Sequence, residues 1–197
     1  MRIVYKILTV IVAIFWVLFG VLALYVFFGR KYLYPIKYEE IVFAMAEEYE
    51  LPKELIFATI NVESKFKKDA VSSKGAKGLM QITDATADYI ADRLGYGSYD
   101  IFDESTNIEF GCYYLNYLFS RFEHQDTVIV AYNAGETVVR SWLKNPEYSD
   151  NSKTLKEIPY KETREYLRKV KRNSLAYENL QRKKIKQIEK NLIVDKV

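Results

Sequence analysis

The sequence predicts an all-α protein in which one apolar N-terminal helix precedes a single helical domain. Three observations carry this. Period-two apolar runs bounded by turn residues, the mark of strands, are scarce along the 197 residues. Helix starts and stops recur at helical lengths from Tyr38 onward. Between Lys6 and Arg30 lie 23 residues without a charge, and 20 of them are apolar, the exceptions being Thr9, Gly20 and Gly29. The remainder has ordinary charge content, so the chain is neither a multi-pass membrane protein nor disordered.

The elements follow in order. Ile7–Phe28 is about 33 Å long as a helix, at about 1.5 Å per residue, which matches the hydrocarbon core of a bilayer. A cleaved signal peptide is the main rival. Its apolar region would be shorter and would end in small residues, whereas this run ends Tyr25-Val26-Phe27-Phe28-Gly29-Arg30. An uncleaved single-pass anchor is therefore expected. Tyr32–Lys37, containing Pro35, reads as a short linker. Tyr38–Glu50 carries Ile41, Met45 and Tyr49 at four-residue spacing. Pro52 suits the first turn of a helix running to about Lys65. The Ala70–Met80 loop leaves room for a minor hairpin. Thr83 or Asp84 can cap a helix that stops near Gly95. Glu104 to about Glu123 is a long helix whose Gly111 implies a closely packed neighbour. Thr127–Ala134 and Glu136–Lys144 are separated by Gly135, and Asn145-Pro146 ends the second. Two helices, Lys161–Arg172 and Leu175–Leu192, complete the chain. The expected organisation is a short terminus at 1–6, an anchor at 7–29, a linker at 30–37, the main domain at 38–172 and a basic helix at 173–197.

Charge and rare residues narrow the chemistry. From Lys161 to the end there are 12 Lys and Arg against 5 Asp and Glu, a net of +7 in a chain of net +3. A solvated helix face explains this, and so does attraction to anionic lipid headgroups or cell-wall polymers. The aromatic interleaving that single-stranded nucleic acid requires is missing, so no nucleic-acid partner is expected. Cys112 stands alone among apolar residues and reads as a buried core thiol. It leaves the compartment open. His124 is the only histidine, so a multi-histidine metal site is impossible and a Ser-His-Asp triad could use only that residue. No metal or cofactor is expected.

Glu63 is the candidate acid. Ile56, Ile60 and Glu63 fall at steps of four and three, so a carboxylate continues an apolar helix stripe. It also lies near the helix C-terminus, where the dipole disfavours negative charge. Desolvation and the dipole both raise its pKa, and a carboxylic acid protonated near neutral pH is a general acid. Read alone, Glu63 is equally a solvated glutamate at a helix end.

Four segments in order extend this reading: Glu63-Ser64; Gly78-Leu79-Met80-Gln81; Ala131-Tyr132-Asn133-Ala134-Gly135; and Ile158–Val170. Together they resemble the successive motifs of the soluble-type lytic transglycosylases, relatives of goose lysozyme, over about residues 38–172. The resemblance implies a lysozyme-like α-domain with a groove for peptidoglycan strands, cutting the β-1,4 bond between N-acetylmuramic acid and N-acetylglucosamine. By the same resemblance Glu63 is the single catalytic acid/base, and Ser72 and Gln81 bind the sugar near the cleavage point. Tyr132 forms the groove wall, Asn133 supports it, and Glu162 matches a buried structural or binding carboxylate. Thr83, counted among the substrate-binding residues, departs from the pattern: Thr83-Asp84 follows Gln81-Ile82 where the family often has Met-Pro, so a thioether contact would be lost. Read without the family, Gln81 is also a plain loop amide, Tyr132 a core tyrosine and Glu162 a favourable helix N-terminal acid. Tyr166 and Arg164 read as packing or pairing residues.

Most glycosidases use two carboxylates. One suffices if the substrate supplies the second nucleophile, here the muramic C6 hydroxyl closing onto C1. The expected function is thus a non-hydrolytic cut leaving 1,6-anhydro ends. The alternatives are a hydrolytic muramidase on the same fold and a non-catalytic glycan-binding module. Arg2 and Lys6 nearly balance Arg30 and Lys31, so charge leaves the orientation of the span open. The substrate would put the catalytic domain on the extracytoplasmic face of the cell membrane.

Overall fold

The structure, a computed structural model, describes residues 2–194, apart from the side chains of residues 25–28, 30, 31 and 187–194. It is helical, with no strand among the described residues. The chain divides into two compact units, Met1–Pro35 and Ile36–Val197. The first is α1, Arg2–Leu33. Within it Arg2–Leu24 is long and apolar enough to cross a membrane, with a mean hydropathy of 2.9. Its apolar side chains up to Leu24 are exposed. The side chains of Tyr25–Phe28, and residues 195–197 of the basic tail, lie outside the described residues.

The second unit holds α2 (Glu39–Glu48), α3 (Lys53–Glu63), α4 (Asp84–Leu94), α5 (Glu104–Arg121), α6 (Gln125–Ala134), α7 (Glu136–Lys144) and α8 (Lys161–Val194). Its axis is α3. Pro52, in extended backbone, starts it by accepting from the N–H groups of Leu55 and Ile56. All seven residues from Leu55 to Asn61 are then buried, so this helix is enclosed on every side. α8 packs along it, and Tyr177 of α8 stacks on Phe57 with ring centroids 5.3 Å apart. α2 also packs on α3, and α6 packs on α8, α5 and α7.

Local chemistry sets the ends. The Thr83 hydroxyl accepts from the Thr86 N–H at 3.4 Å and caps α4, which stops at Gly95 in the left-handed region at φ 77°. Asp103 caps α5 through the Thr106 N–H at 2.9 Å. Gly111 is closely packed, as its sequence context implies: a Cβ there would lie 2.2 Å from Met80 Sδ.

One expectation is overturned. The C-terminal residues form one continuous helix, α8, instead of two. Asn173-Ser174 were expected to interrupt it. The stripe Thr163, Tyr166, Val170, Asn173 and Tyr177 is buried without a break, so packing on the core outweighs two residues of modest helix propensity.

The segment between α3 and α4 is a compact loop with a hairpin-like core. Isolated antiparallel bridges join Val71 to Lys77 and Lys77 to Ile82. One buried side chain organises it: Asn107 of α5 accepts from the Met80 N–H at 2.8 Å and donates to the carbonyls of Ile101 at 2.8 Å and Lys77 at 3.1 Å. Gly78 lies against this amide at φ 78°, where a Cβ would come within 2.1 Å of Asn107 Nδ2.

Candidate active site

Glu63 is the last residue of α3, and the turn that follows throws Lys65 and Phe66 into the left-handed region. Its part-buried carboxylate meets α8, where the buried Tyr166 hydroxyl donates to Oε1 at 2.6 Å. Burial raises the Glu63 pKa, the Tyr166 hydrogen bond pulls it down, and the negative charge of Glu162 raises it; the balance is about 7. Tyr166 itself is held well above its usual range by burial and by Glu63, so it remains a neutral donor. Tyr132 is held up by burial and then by Glu63. The Glu63 carboxyl thus has one neutral phenol, Tyr166, as its hydrogen-bond donor.

Tyr132, on α6, donates its hydroxyl to the Met80 carbonyl at 2.9 Å, tying α6 to the loop that Asn107 holds. Next to it in sequence, Asn133 accepts from the buried Thr163 hydroxyl of α8 at 2.7 Å, leaving its amide N–H groups unspent in that bond. Gln81 sits at φ 53° and donates from Nε2 to the carbonyls of Gly78 at 2.9 Å and Ala70 at 3.1 Å. Those two bonds use both amide protons, so what Gln81 offers a ligand is its Oε1 acceptor. The Ser72 oxygen accepts from the N–H groups of Ala76 at 3.0 Å and Lys74 at 3.3 Å, which leaves its O–H as the donor. Gln81, Thr83, Tyr132 and Asn133 share one cavity of about 240 Å³ with Tyr114 and Gly135. Ser72 and Glu63 are not among its walls. Among the described residues no group of three His, Cys, Asp or Glu side chains gathers as a metal cluster. Cys112 is fully buried.

Glu162 differs from the expectation of a buried carboxylate. Its side chain is 71% exposed and pairs with Lys74 at 3.3 Å, bridging the start of α8 and the loop tip. It lies in the first turn of α8, one residue before the inward-facing Thr163, so helix geometry turns it to solvent. It acts on Glu63 through charge across the gap. Arg164 donates to the carbonyls of Ile158 and Pro159 and so closes the segment leading into α8.

Two residues of this arrangement carry more weight than the sequence suggested. Tyr166 does pair, and its partner is the acid itself. It lies three residues after Thr163 and four before Val170 on the buried stripe of α8, where a phenol needs a polar partner. Asn107 is a polar residue on the buried face of α5 that also carries Ile108, Gly111, Cys112 and Leu115, and such a residue marks an internal hydrogen-bond hub.

Residues 40–155, more than half of the chain, match the model of the family described as Transglycosylase SLT domain. This chain belongs to the SLT transglycosylase family. The soluble lytic murein transglycosylase of Escherichia coli K12 is 32% identical over 151 residues, covering 74% of this chain and 23% of that relative. The membrane-bound lytic murein transglycosylase C of Serratia proteamaculans is 32% identical over 167 residues, covering 72% of this chain and 46% of the relative. Among solved structures, the 70 kDa soluble lytic transglycosylase of Escherichia coli aligns with a TM-score of 0.67 at 28% identity, over 75% of this chain and 25% of that one. An inactive mutant of lytic transglycosylase Slt from Pseudomonas aeruginosa aligns with a TM-score of 0.65 at 29% identity, over 75% of this chain and 25% of that one. The chain thus spans about a quarter of the length of the soluble Escherichia coli relative. The lysozyme-like, SLT-type all-α fold is that of these neighbours.

Proposed function

We propose that this protein is a peptidoglycan lytic transglycosylase that cuts the β-1,4 bond between N-acetylmuramic acid and N-acetylglucosamine, with Glu63 as its single acid/base. The observation that carries this reading is one desolvated carboxyl at the end of α3, raised to about 7 and held by a phenol, inside an SLT domain. The carboxylate whose charge reaches it, Glu162, is exposed and paired with Lys74. The names of the soluble and membrane-bound relatives support the same activity.

In this mechanism Glu63 enters protonated and gives its proton to the glycosidic oxygen as the C1–O bond breaks. Positive charge develops at C1, and Glu63 is now the carboxylate. It takes the proton of the muramic C6 hydroxyl while that oxygen bonds to C1. The products are a free 4-hydroxyl and a 1,6-anhydro end, and Glu63 is protonated again. Tyr166 donates to the carboxylate when it is charged and so eases the middle of the cycle. Gln81 Oε1 and the Ser72 O–H suit the N–H and C=O of the acetamido group, and Tyr132, Asn133 and Thr83 hold the ring in the cavity. Their task is to bring C6, not water, to C1.

Mass spectrometry of the products tests this. Anhydro ends are lighter than reducing ends by one water, about 18 Da, because the hydrolytic route adds it. Reducing ends alone would make the protein a hydrolytic muramidase. Binding without turnover would make it a glycan-binding module.

α1 serves in this reading as a single-pass anchor, with the SLT domain on the extracytoplasmic face where the wall lies. The basic end of α8 meets anionic headgroups or wall polymers. Protease added to intact cells should digest the domain but spare α1. Digestion only after lysis would put the domain on the other face.

A further inference from the structure

The cavity that Gln81 and Asn133 line does not end at Tyr132. Its wall includes Tyr114 of α5, whose ring centroid lies 5.4 Å from that of Tyr132. Three residues on, Tyr117 lies 6.2 Å from Tyr114 with the two planes only 11° apart. These two rings stack nearly parallel, while Tyr132 is tilted 52° to Tyr114. Tyr89 of α4 follows, 6.4 Å from Tyr117, and is 43% exposed. Four rings from three helices thus run from the cavity wall to open surface.

The track has a polar rim. Tyr117 donates to Glu136 at 2.8 Å, and Glu136 is also held by Arg140 at 2.7 Å. Guanidinium groups lie over one side of two rings, Arg121 4.9 Å from the Tyr117 centroid and Arg93 5.2 Å from that of Tyr89. These contacts fix the rings without packing them into the core. Flat apolar faces bordered by fixed donors and acceptors suit pyranose rings, which present C–H faces and hydroxyl edges.

We propose that Tyr114, Tyr117 and Tyr89 form a stacking track that seats further sugar rings of a glycan strand beyond the cavity, so that the domain grips long strands more tightly than short ones. The proposal rests on the glycan-cleaving reading above and adds to it the path that the strand takes.

Full-length protein in detergent, assayed on purified long glycan strands and on a four-sugar fragment, tests it. For Tyr117→Ala and Tyr89→Ala, KM on long strands should rise about three- to tenfold, the scale of one lost aromatic contact. The kcat on long strands and both constants on the fragment should stay at parental values. Tyr117→Phe, which keeps the ring and loses the Glu136 bond, should stay close to parental on both. Equal losses on the two lengths, or no loss on long strands, would overturn the track. Tyr89 is exposed, so its alanine variant tests the proposal even if Tyr117→Ala folds poorly. Failure of the parental protein to cleave either substrate would remove the glycan reading itself, an outcome distinct from loss of the length effect alone.

Discussion

Replacing Glu63 with Gln should stabilise the protein while removing its activity, and the stabilisation should depend on pH in a defined way. The folded protein holds this carboxyl at about 7, chiefly by burial, against a starting value of 4.5. Below about pH 4 the folded and unfolded chains both carry the proton, and Glu63 behaves like its neutral isostere. Between 4.5 and 7 the folded state keeps the proton and the unfolded state loses it, so the parental protein loses stability as pH rises. At 1.36 kcal/mol per pH unit the whole change is on the order of 3 kcal/mol, and above pH 7 it is complete. The Glu63→Gln variant carries no such cost, and its amide oxygen can still accept from Tyr166. Denaturant unfolding of the two proteins in the same detergent, followed from about pH 4 to 8, measures the gap. It should open between about 4.5 and 7, favour the variant, and then stay flat. Activity of the variant should fall by at least about 100-fold, the usual scale for a lost general acid. A gap equal at both ends of that pH range, or one favouring the parental protein at the alkaline end, would refute the burial of this carboxyl.

The same site yields further expectations. The kcat/KM of the parental enzyme should fall above about pH 7, where Glu63 in the free enzyme loses the proton it must donate. Tyr166→Phe removes the hydrogen bond that lowers the Glu63 pKa, so this descending limb should move to higher pH while kcat falls about tenfold; a limb moving to lower pH would contradict the assigned donor. Glu162→Gln removes a repelling charge, so the limb should move to lower pH, and since its pairing with Lys74 is exposed, melting should change by less than about 0.5 kcal/mol. Gly78→Ala drives a Cβ into Asn107 at a positive φ and should cost about 1–3 kcal/mol in thermal unfolding; a parental melting temperature would show that the loop is looser than its packing indicates.

How far the sequence could be read is clearest at particular residues. Thr83, Gly95 and Gly135 mark helix ends through local hydrogen bonding and backbone freedom, which depend on near neighbours alone, and the elements lie where those residues put them. Glu63 stood out because a carboxylate on an apolar helix stripe is a local anomaly. By contrast, the break expected at Asn173-Ser174 was a local inference about a helix held by distant contacts, and burial of its stripe carried the helix through. For Glu162 the family resemblance implied a buried structural or binding carboxylate and the residue itself a helix N-terminal acid; it lies in the first turn of α8, turned outward to Lys74, 88 residues away in sequence.

The sequence by itself determined that this chain is all-α and where most of its helices begin and end, and the family motifs, not the helix stripe alone, singled out Glu63 as the candidate acid. The first two follow from periodicity, capping and composition, whose physics reaches only a few residues. Only the tertiary structure decided what surrounds that carboxyl. Tyr166 arrives from 103 residues away, Asn107 reaches from α5 to hold the loop beneath Tyr132, and tyrosines of α4, α5 and α6 meet ring to ring. Desolvation, and with it the acid's poise near neutrality, is a property of how helices pack around a point in space.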